Sequence, residues 1–243
     1  GRRLLTYGQS QDADLVLQSI RIEGNTTYFD ATLTALVKGG ARKLTDWSVP
    51  IPGAHNALNA LAAIAVATQA GLEDAKIKAA MAGFSGVKRR FQFTGEWNGV
   101  GIYDDYGHHP AEISAVLAAA RGGTKGKVIA VVEPHRYTRV RDLFEDFARC
   151  FKDADHVIVA PLYTAGEPPI AGIDNQTLAA RIATAGRRSA EAVDEPGAIA
   201  AAIKRVAGPG DIVVCLGAGN STDWAHALPD WLAGTAQRAG SAA

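Results

Sequence analysis

Cysteine is scarce. The 243 residues hold two, Cys150 and Cys215, each in an apolar context and with no CxxC spacing between them. They read as buried thiols of a reducing compartment, not as staples of a secreted fold. An excess of one charge is missing too: 25 basic residues balance 25 acidic ones, which leaves no electrostatic footprint for nucleic acid or an anionic membrane. No apolar run comes near the ~20 residues of a membrane span, no signal peptide opens the chain, and no internal repeat is visible. What is left is a soluble, cytoplasmic protein, long enough to bury one large core or two modest ones.

Residues 1–52 alternate and turn like β structure. Leu15, Leu17, Ile20 and Ile22 run into Gly24-Asn25; Thr27, Phe29, Ala31 and Leu33 follow; Gly39-Gly40 turns the chain before Leu44, Trp47, Val49 and Ile51. This predicts a small antiparallel sheet. An alanine-rich helix is expected over 56–70, closed by Gly71, and a shorter one over 72–81. Gly83-Phe84-Ser85-Gly86 reads as a boundary between domains 1–86 and 87–243. Beyond it a hairpin is expected, strands 91–97 and 100–104 joined by Asn98-Gly99, a strong two-residue turn signal. Helices at 110–121, 139–151, 175–185, 196–206 and from 222 then alternate with strands at 127–133, 156–160, 189–193 and 211–216. The pattern predicts an α/β fold with a Rossmann-like, mostly parallel, doubly wound sheet. The small, polar tail 236–243 is expected to fray.

Chemistry is concentrated in a few stretches. Tyr103-Asp104-Asp105-Tyr106-Gly107-His108-His109 leaves an apolar strand and enters a helix at Pro110, with Glu112 placed to reach back to the helix start. Such a loop lies at the carboxyl end of a sheet strand, where open α/β folds bind ligands; a polar surface turn is the competing reading. His55, Asn56 and Asn59 open the alanine-rich helix, and a pair of carboxamides at i and i+3 can match the edge of adenine or simply cap and solvate the helix. Lys88-Arg89-Arg90-Phe91 is a phosphate clamp or a basic linker. In Glu133-Pro134-His135-Arg136-Tyr137-Thr138-Arg139, Thr138 is read as an N-cap, which puts arginines at the positive end of a helix dipole. That is unfavourable unless an anion docks there, so a small carboxylate or phosphate is expected. Leu216-Gly217-Ala218-Gly219-Asn220 lacks the third glycine of a dinucleotide fingerprint and reads as a tight turn letting backbone approach a ligand or a neighbouring strand. Adjacent His108 and His109 with His135 do not form a metal-ligand pattern.

Together these stretches resemble the Mur ligase family. The motifs are GAHNALNALAA at 53–63, KRRF at 88–91, DDYGHHPAE at 104–112, PHRYTRVRDLF at 134–144 and YTAGE at 163–167. The resemblance implies a Rossmann-like C-terminal domain preceded by the β-rich later half of a central ATPase domain. No GxxxxGK[ST] is present, so the UDP site, the phosphate loop and the ligands for Mg2+ would lie outside this sequence, and the chain alone is not expected to turn over ATP. The implied activity is ATP-dependent ligation of L-alanine to UDP-N-acetylmuramate through an acyl phosphate, in the bacterial cytoplasm; a homodimer stays open. The family's tripeptide-adding recycling ligase, or a non-catalytic binding module, are the rivals. By motif, His55, Asn56 and Asn59 would bind adenine, and Arg90 and Asp105 the ribose and phosphates. His135, Arg136 and Arg139 would hold the alanine carboxylate, with Tyr106 and His109 beside the reacting amine. Ala54, Ser221 and Glu133 depart from the family pattern, and an inward-pointing Glu133 would weaken the anion argument.

Overall fold

The structure, a computed structural model, describes residues 4–84, 86–186 and 189–234; the expected fraying at 236–243 lies outside them. The chain divides into two compact units, residues 1–86 and 87–243. No described helix is long and apolar enough to cross a membrane.

In the first unit, strands β1 (Tyr7–Gly8), β2 (Leu15–Glu23), β3 (Thr26–Leu33) and β4 (Arg42–Val49) form a sheet in that order. Pairs β2–β3 and β3–β4 are antiparallel, as the alternation predicts, but the short β1 joins β2 in parallel. Thr27, Phe29, Ala31 and Leu33 all point into one buried face. That face is covered by helix α1 (Ala54–Gln69), through Leu61 and Ile64, and by helix α2 (Asp74–Ala82), through Ile77. Burial of these side chains, at roughly 1.5–3 kcal/mol each, holds the helices to the sheet.

The second unit contains β5 (Gln92–Trp97), β6 (Val100–Asp105), α3 (Pro110–Gly123), β7 (Val128–Val132), α4 (Tyr137–Asp142), α5 (Phe144–Arg149) and β8 (His156–Val159). It continues with α6 (Asn175–Gly186), β9 (Ser189–Ala192), α7 (Gly197–Val206), β10 (Ile212–Leu216) and α8 (Ser221–Ala233). The sheet order is β5-β6-β10-β7-β8-β9, with all neighbours parallel except the β5–β6 hairpin. Asn98 and Gly99 turn that hairpin with φ of 48° and 76°, the consecutive left-handed pair that a two-residue loop between twisted strands requires. Strands β7 and β8 are buried along their whole length and β10 along all but its first residue, because helices cover both faces. Ile113, Leu117, Phe147, Phe151, Leu178 and Ile182 seal one face; Ile199, Ile203, Trp224 and Leu228 seal the other. Strand β10, last in sequence, inserts between β6 and β7, so the chain reverses its winding at the carboxyl ends of these three strands, where ligands of such sheets bind.

A second element, besides β1, differs from expectation. The helix predicted over 139–151 is two short helices, α4 and α5, broken at Leu143, whose φ of −116° and ψ of 24° leave the helical region. Helix α4 begins at Tyr137, so Thr138 is not its N-cap; Arg136 holds that position, at φ 69°.

Candidate active site at the carboxyl ends of the central strands

Strand β6 ends in two buried carboxylates with different partners. Asp104 is fully buried; its Oδ2 accepts from Thr222 Oγ1 (2.7 Å) and lies 3.5 Å from Arg89 Nε. Asp105, 2% exposed, accepts the Gly107 N–H on Oδ1 (2.7 Å) and the Phe91 N–H on Oδ2 (2.8 Å). Burial pushes the Asp105 carboxyl up to about 6, against those two N–H donors and Arg90, with Asp104 adding to the rise. Both of its oxygens accept backbone N–H groups, so Asp105 fixes the loop. Arg90 is exposed, and it is Arg89 that turns inward.

Pro110 opens α3 behind a reciprocal cap. His109 Nδ1 accepts the Ala111 N–H (3.3 Å), and Glu112 Oε2 accepts the N–H groups of His108 (3.1 Å) and His109 (3.2 Å). Burial favours protonation of Glu112, but those two N–H donors hold its carboxyl below the ordinary value. One ring nitrogen of His109 is thereby committed to the helix. His108, only half-buried, turns the other way: its Nδ1 is 2.9 Å from the Tyr106 carbonyl. A carbonyl only accepts, so Nδ1 carries a proton, and in the neutral ring the lone pair is then on Nε2.

From here a row of rings crosses the sheet. Tyr106 and His108 meet edge to face at 5.1 Å, His108 lies 5.6 Å from His135, and His135 stacks on Tyr163 at 5.0 Å and 21°. Main-chain bonds zip the loop after β7 to the loop after β8, with Arg136 N–H to Tyr163 O (2.9 Å) and Tyr163 N–H to Pro134 O (2.8 Å). His135 Nδ1 faces Arg139 Nη1 at 3.4 Å; arginine only donates, which puts the ring proton on Nε2. Burial, then Arg139, His108 and Arg136, lower His135 to about 4, so the imidazole is neutral at pH 7.

The anion inferred at the start of α4 has an internal occupant. Glu167, from the YTAGE stretch, accepts both the Thr138 N–H (2.9 Å) and its hydroxyl (2.8 Å) and sits 3.8 Å from Arg136; the two Thr138 bonds hold its carboxyl below the ordinary value. Glu167 thus supplies one negative group at the start of α4, as the dipole argument requires. Arg139 is another matter: it is half-buried, and among the described residues no carboxylate pairs with it. The glycine turn after β10 is also filled from within. Glu133, 1% exposed, accepts the N–H groups of Gly219 (3.0 Å), Asn220 (2.9 Å) and Ser221 (3.3 Å). A side chain on Gly219 would meet the Tyr163 ring at 2.5 Å. The turn admits a neighbouring strand's carboxylate and a ring, the second of the alternatives its sequence left open.

In the first unit, the Asn56 amide donates to Pro52 O (2.9 Å) and so does not cap α1, whose N-cap is Gly53; Asn59 is exposed and His55 half-buried. Burial raises the Cys150 and Cys215 thiols. Among the described residues no group of three His, Cys, Asp or Glu side chains is arranged to hold a metal ion.

The low value at His135 carries a sign. Unfolded, the ring takes its proton near pH 6.5; folded, near 4. Between these values the unfolded chain binds more protons, so the His135 contribution to stability is present above 6.5 and is lost as pH falls through 4. Asp105, raised from 3.8 to about 6, acts oppositely: its contribution is present below 3.8 and lost as pH rises through 6. Urea midpoints for the protein and His135→Gln should therefore diverge as pH drops from 6.5 to 4, with the variant losing less. A constant difference across that range would mean that His135 is not depressed.

The described geometry has parallels. The Mur ligase glutamate ligase domain matches residues 89–219. A protein of Brucella anthropi named UDP-N-acetylmuramate–L-alanine ligase is 53% identical over 232 residues, covering 96% of this chain and 49% of its own length. A protein of the same name from Parvibaculum lavamentivorans is 54% identical, with 96% and 47% covered. The chain thus spans about half the length of the curated relatives it matches. Among solved structures, the UDP-N-acetylmuramate–alanine ligase of Thermotoga maritima superposes with a TM-score of 0.76 at 21% identity, covering 96% of this chain and 48% of that one. A murein peptide ligase from Psychrobacter arcticus gives 0.63 at 24%, with 96% and 47% covered; both show likeness of fold.

Proposed function

The chain belongs to the Mur ligase family, and on that footing we propose that it supplies the amino-acid-binding part of an ATP-dependent ligase joining L-alanine to UDP-N-acetylmuramate in the bacterial cytoplasm. The name shared by relatives more than half identical supports the substrate pair. The observation that carries the site is Arg139: a half-buried guanidinium with no acid partner among the described residues, beside a neutral imidazole.

In this reading the muramyl carboxylate attacks the γ-phosphate of ATP, releasing ADP and leaving an acyl phosphate. The amine of alanine then attacks the acyl carbon and inorganic phosphate departs. Catalysis of this kind rests on positioning and charge neutralisation. Arg139, aided by Arg136, holds the alanine carboxylate, and the His135 Nε2–H adds a neutral donor. The ammonium of alanine must shed a proton before it can attack, and Nε2 of a neutral His108 ring is the acceptor assigned to that task. The resemblance placed Tyr106 and His109 beside the amine; here His108 joins them, since one His109 ring nitrogen caps α3. Asp105 holds the loop. On the first unit His55, Asn56 and Asn59 stay proposed for adenine, and on the second Arg90 for the ribose and phosphates. Magnesium neutralises phosphate charge during phosphoryl transfer; the described residues offer it no donor set, and none is assigned here.

The test is phosphate release by the longer protein carrying this chain, given ATP, UDP-N-acetylmuramate and one amine at a time. L-Alanine should support turnover and the free tripeptide should not. Turnover with the tripeptide alone would transfer the chain to the recycling branch.

A further inference from the structure

Arg89 lies in the KRRF stretch, where the resemblance gave a role to Arg90, yet it is the Arg89 side chain that reaches into the site. Its Nη2 donates to the Gly217 carbonyl (2.6 Å), just past β10, and to Ser221 Oγ (3.2 Å), at the start of α8. Its Nε lies 3.5 Å from the fully buried Asp104 at the end of β6. The guanidinium covers the Tyr106 ring at 4.9 Å, and the Arg89 carbonyl accepts the Tyr106 N–H at 2.8 Å. Tyr106 is therefore fixed on one side by Arg89, through ring and backbone, and on the other by His108, whose Nδ1–H bonds its carbonyl.

These contacts close a circuit. Arg89 leads through Tyr106 and His108 to His135 and Tyr163. Tyr163 crowds Gly219, whose N–H is held by Glu133 together with that of Ser221; and Ser221 returns to Arg89. The guanidinium joins the β10 end of the circuit to the Tyr106 ring, beside the Gly217 N–H to Asp105 O bond (3.2 Å) and the Thr222 hydroxyl on Asp104. A partly buried arginine–aspartate pair is a poor source of net stability, since desolvation offsets its attraction. Its planar fork is better suited to fixing geometry.

We propose that Arg89 is a positioning residue: it seats Tyr106, and through Tyr106 sets the ring and proton position of His108. The proposal rests on the ligase reading for its kinetic consequence but not for its structural one, so two measurements are paired. In this chain, 15N spectra of the His108 ring should report the Nδ1–H form in the unaltered protein and a shift toward the Nε2–H form in Arg89→Ala. In the longer ligase, Arg89→Ala should lower kcat/KM for alanine about tenfold, the scale of one charge-assisted contact. The double variant with Tyr106→Ala should be no worse than Tyr106→Ala alone, as for residues acting through one another. Arg89→Lys keeps the charge without the fork and should not restore the rate; it also takes the place of Arg89→Ala in both measurements should the alanine variant fail to fold. Multiplicative losses in the double variant, full rescue by lysine, or an unchanged His108 ring alongside a lowered unfolding midpoint would each overturn the proposal. A shifted His108 ring in a protein that ligates no alanine would uphold the positioning role and defeat the ligase reading instead.

Discussion

Replacing Arg139 with alanine is expected to raise the KM for L-alanine roughly ten- to hundredfold in the proposed ligase, the equivalent of ~1.5–3 kcal/mol for a charge-assisted contact. The side chain is half-buried, its bonds to His135 are long at 3.4 Å, and no carboxylate among the described residues neutralises it. A guanidinium so placed keeps donors for a planar carboxylate. Because the amino acid's carboxylate is not the reacting group, the contact is made in ground and transition states alike, so KM should carry most of the loss and kcat little. Arg139→Lys should recover only part of it, since an ammonium cannot reproduce the fork. Arg136 is exposed and already shares Glu167; its removal should cost less. An Arg139→Ala enzyme with unchanged KM would show that this arginine binds no substrate.

Glu133→Ala should destabilise the second unit by about 3–5 kcal/mol, the range for removing one partner of a buried charged contact. Three successive N–H groups at the start of α8 lose their acceptor at once, in a place where the carboxylate is 1% exposed. Burial raises the Glu133 carboxyl while the Asn220, Ser221 and Gly219 N–H groups and Arg89 pull it back. Gly219→Ala attacks the same junction sterically, since its methyl would stand 2.5 Å from Tyr163 and 2.7 Å from Glu133 Oε2. Both losses are read from urea unfolding. A change under about 1 kcal/mol for Glu133→Ala, no more than one ordinary hydrogen bond, would mean that water replaces the carboxylate and that the turn is not held from within.

Much of this was legible because it is local. Alternation at Thr27, Phe29, Ala31 and Leu33, the Asn98-Gly99 turn and the apolar runs of β7, β8 and β10 all report on residues close in sequence. The capping of α3 by Glu112 was readable for the same reason. What local pattern could not show is which distant group satisfies a given donor. Glu133 meets Gly219, Asn220 and Ser221 across 86 to 88 residues, and Arg89 meets Gly217 across 128. Glu167 returns 29 residues to Thr138, an internal carboxylate at the start of α4 that the local pattern did not reveal. The choice between Arg89 and Arg90 was hidden likewise, since both follow Lys88 and only folding aims one inward. Among adjacent histidines the helix cap decides: it takes His109 and leaves His108 to face His135.

The proposed site stands or falls on where the amino acid's carboxylate sits, and a crystal structure of the proposed ligase with L-alanine bound measures that directly. The expected result is a carboxylate within about 3 Å of the Arg139 guanidinium, with the His135 ring alongside and the amine turned toward His108. Alanine found away from the loops after β6 and β7, with Arg139 left facing solvent, would contradict it.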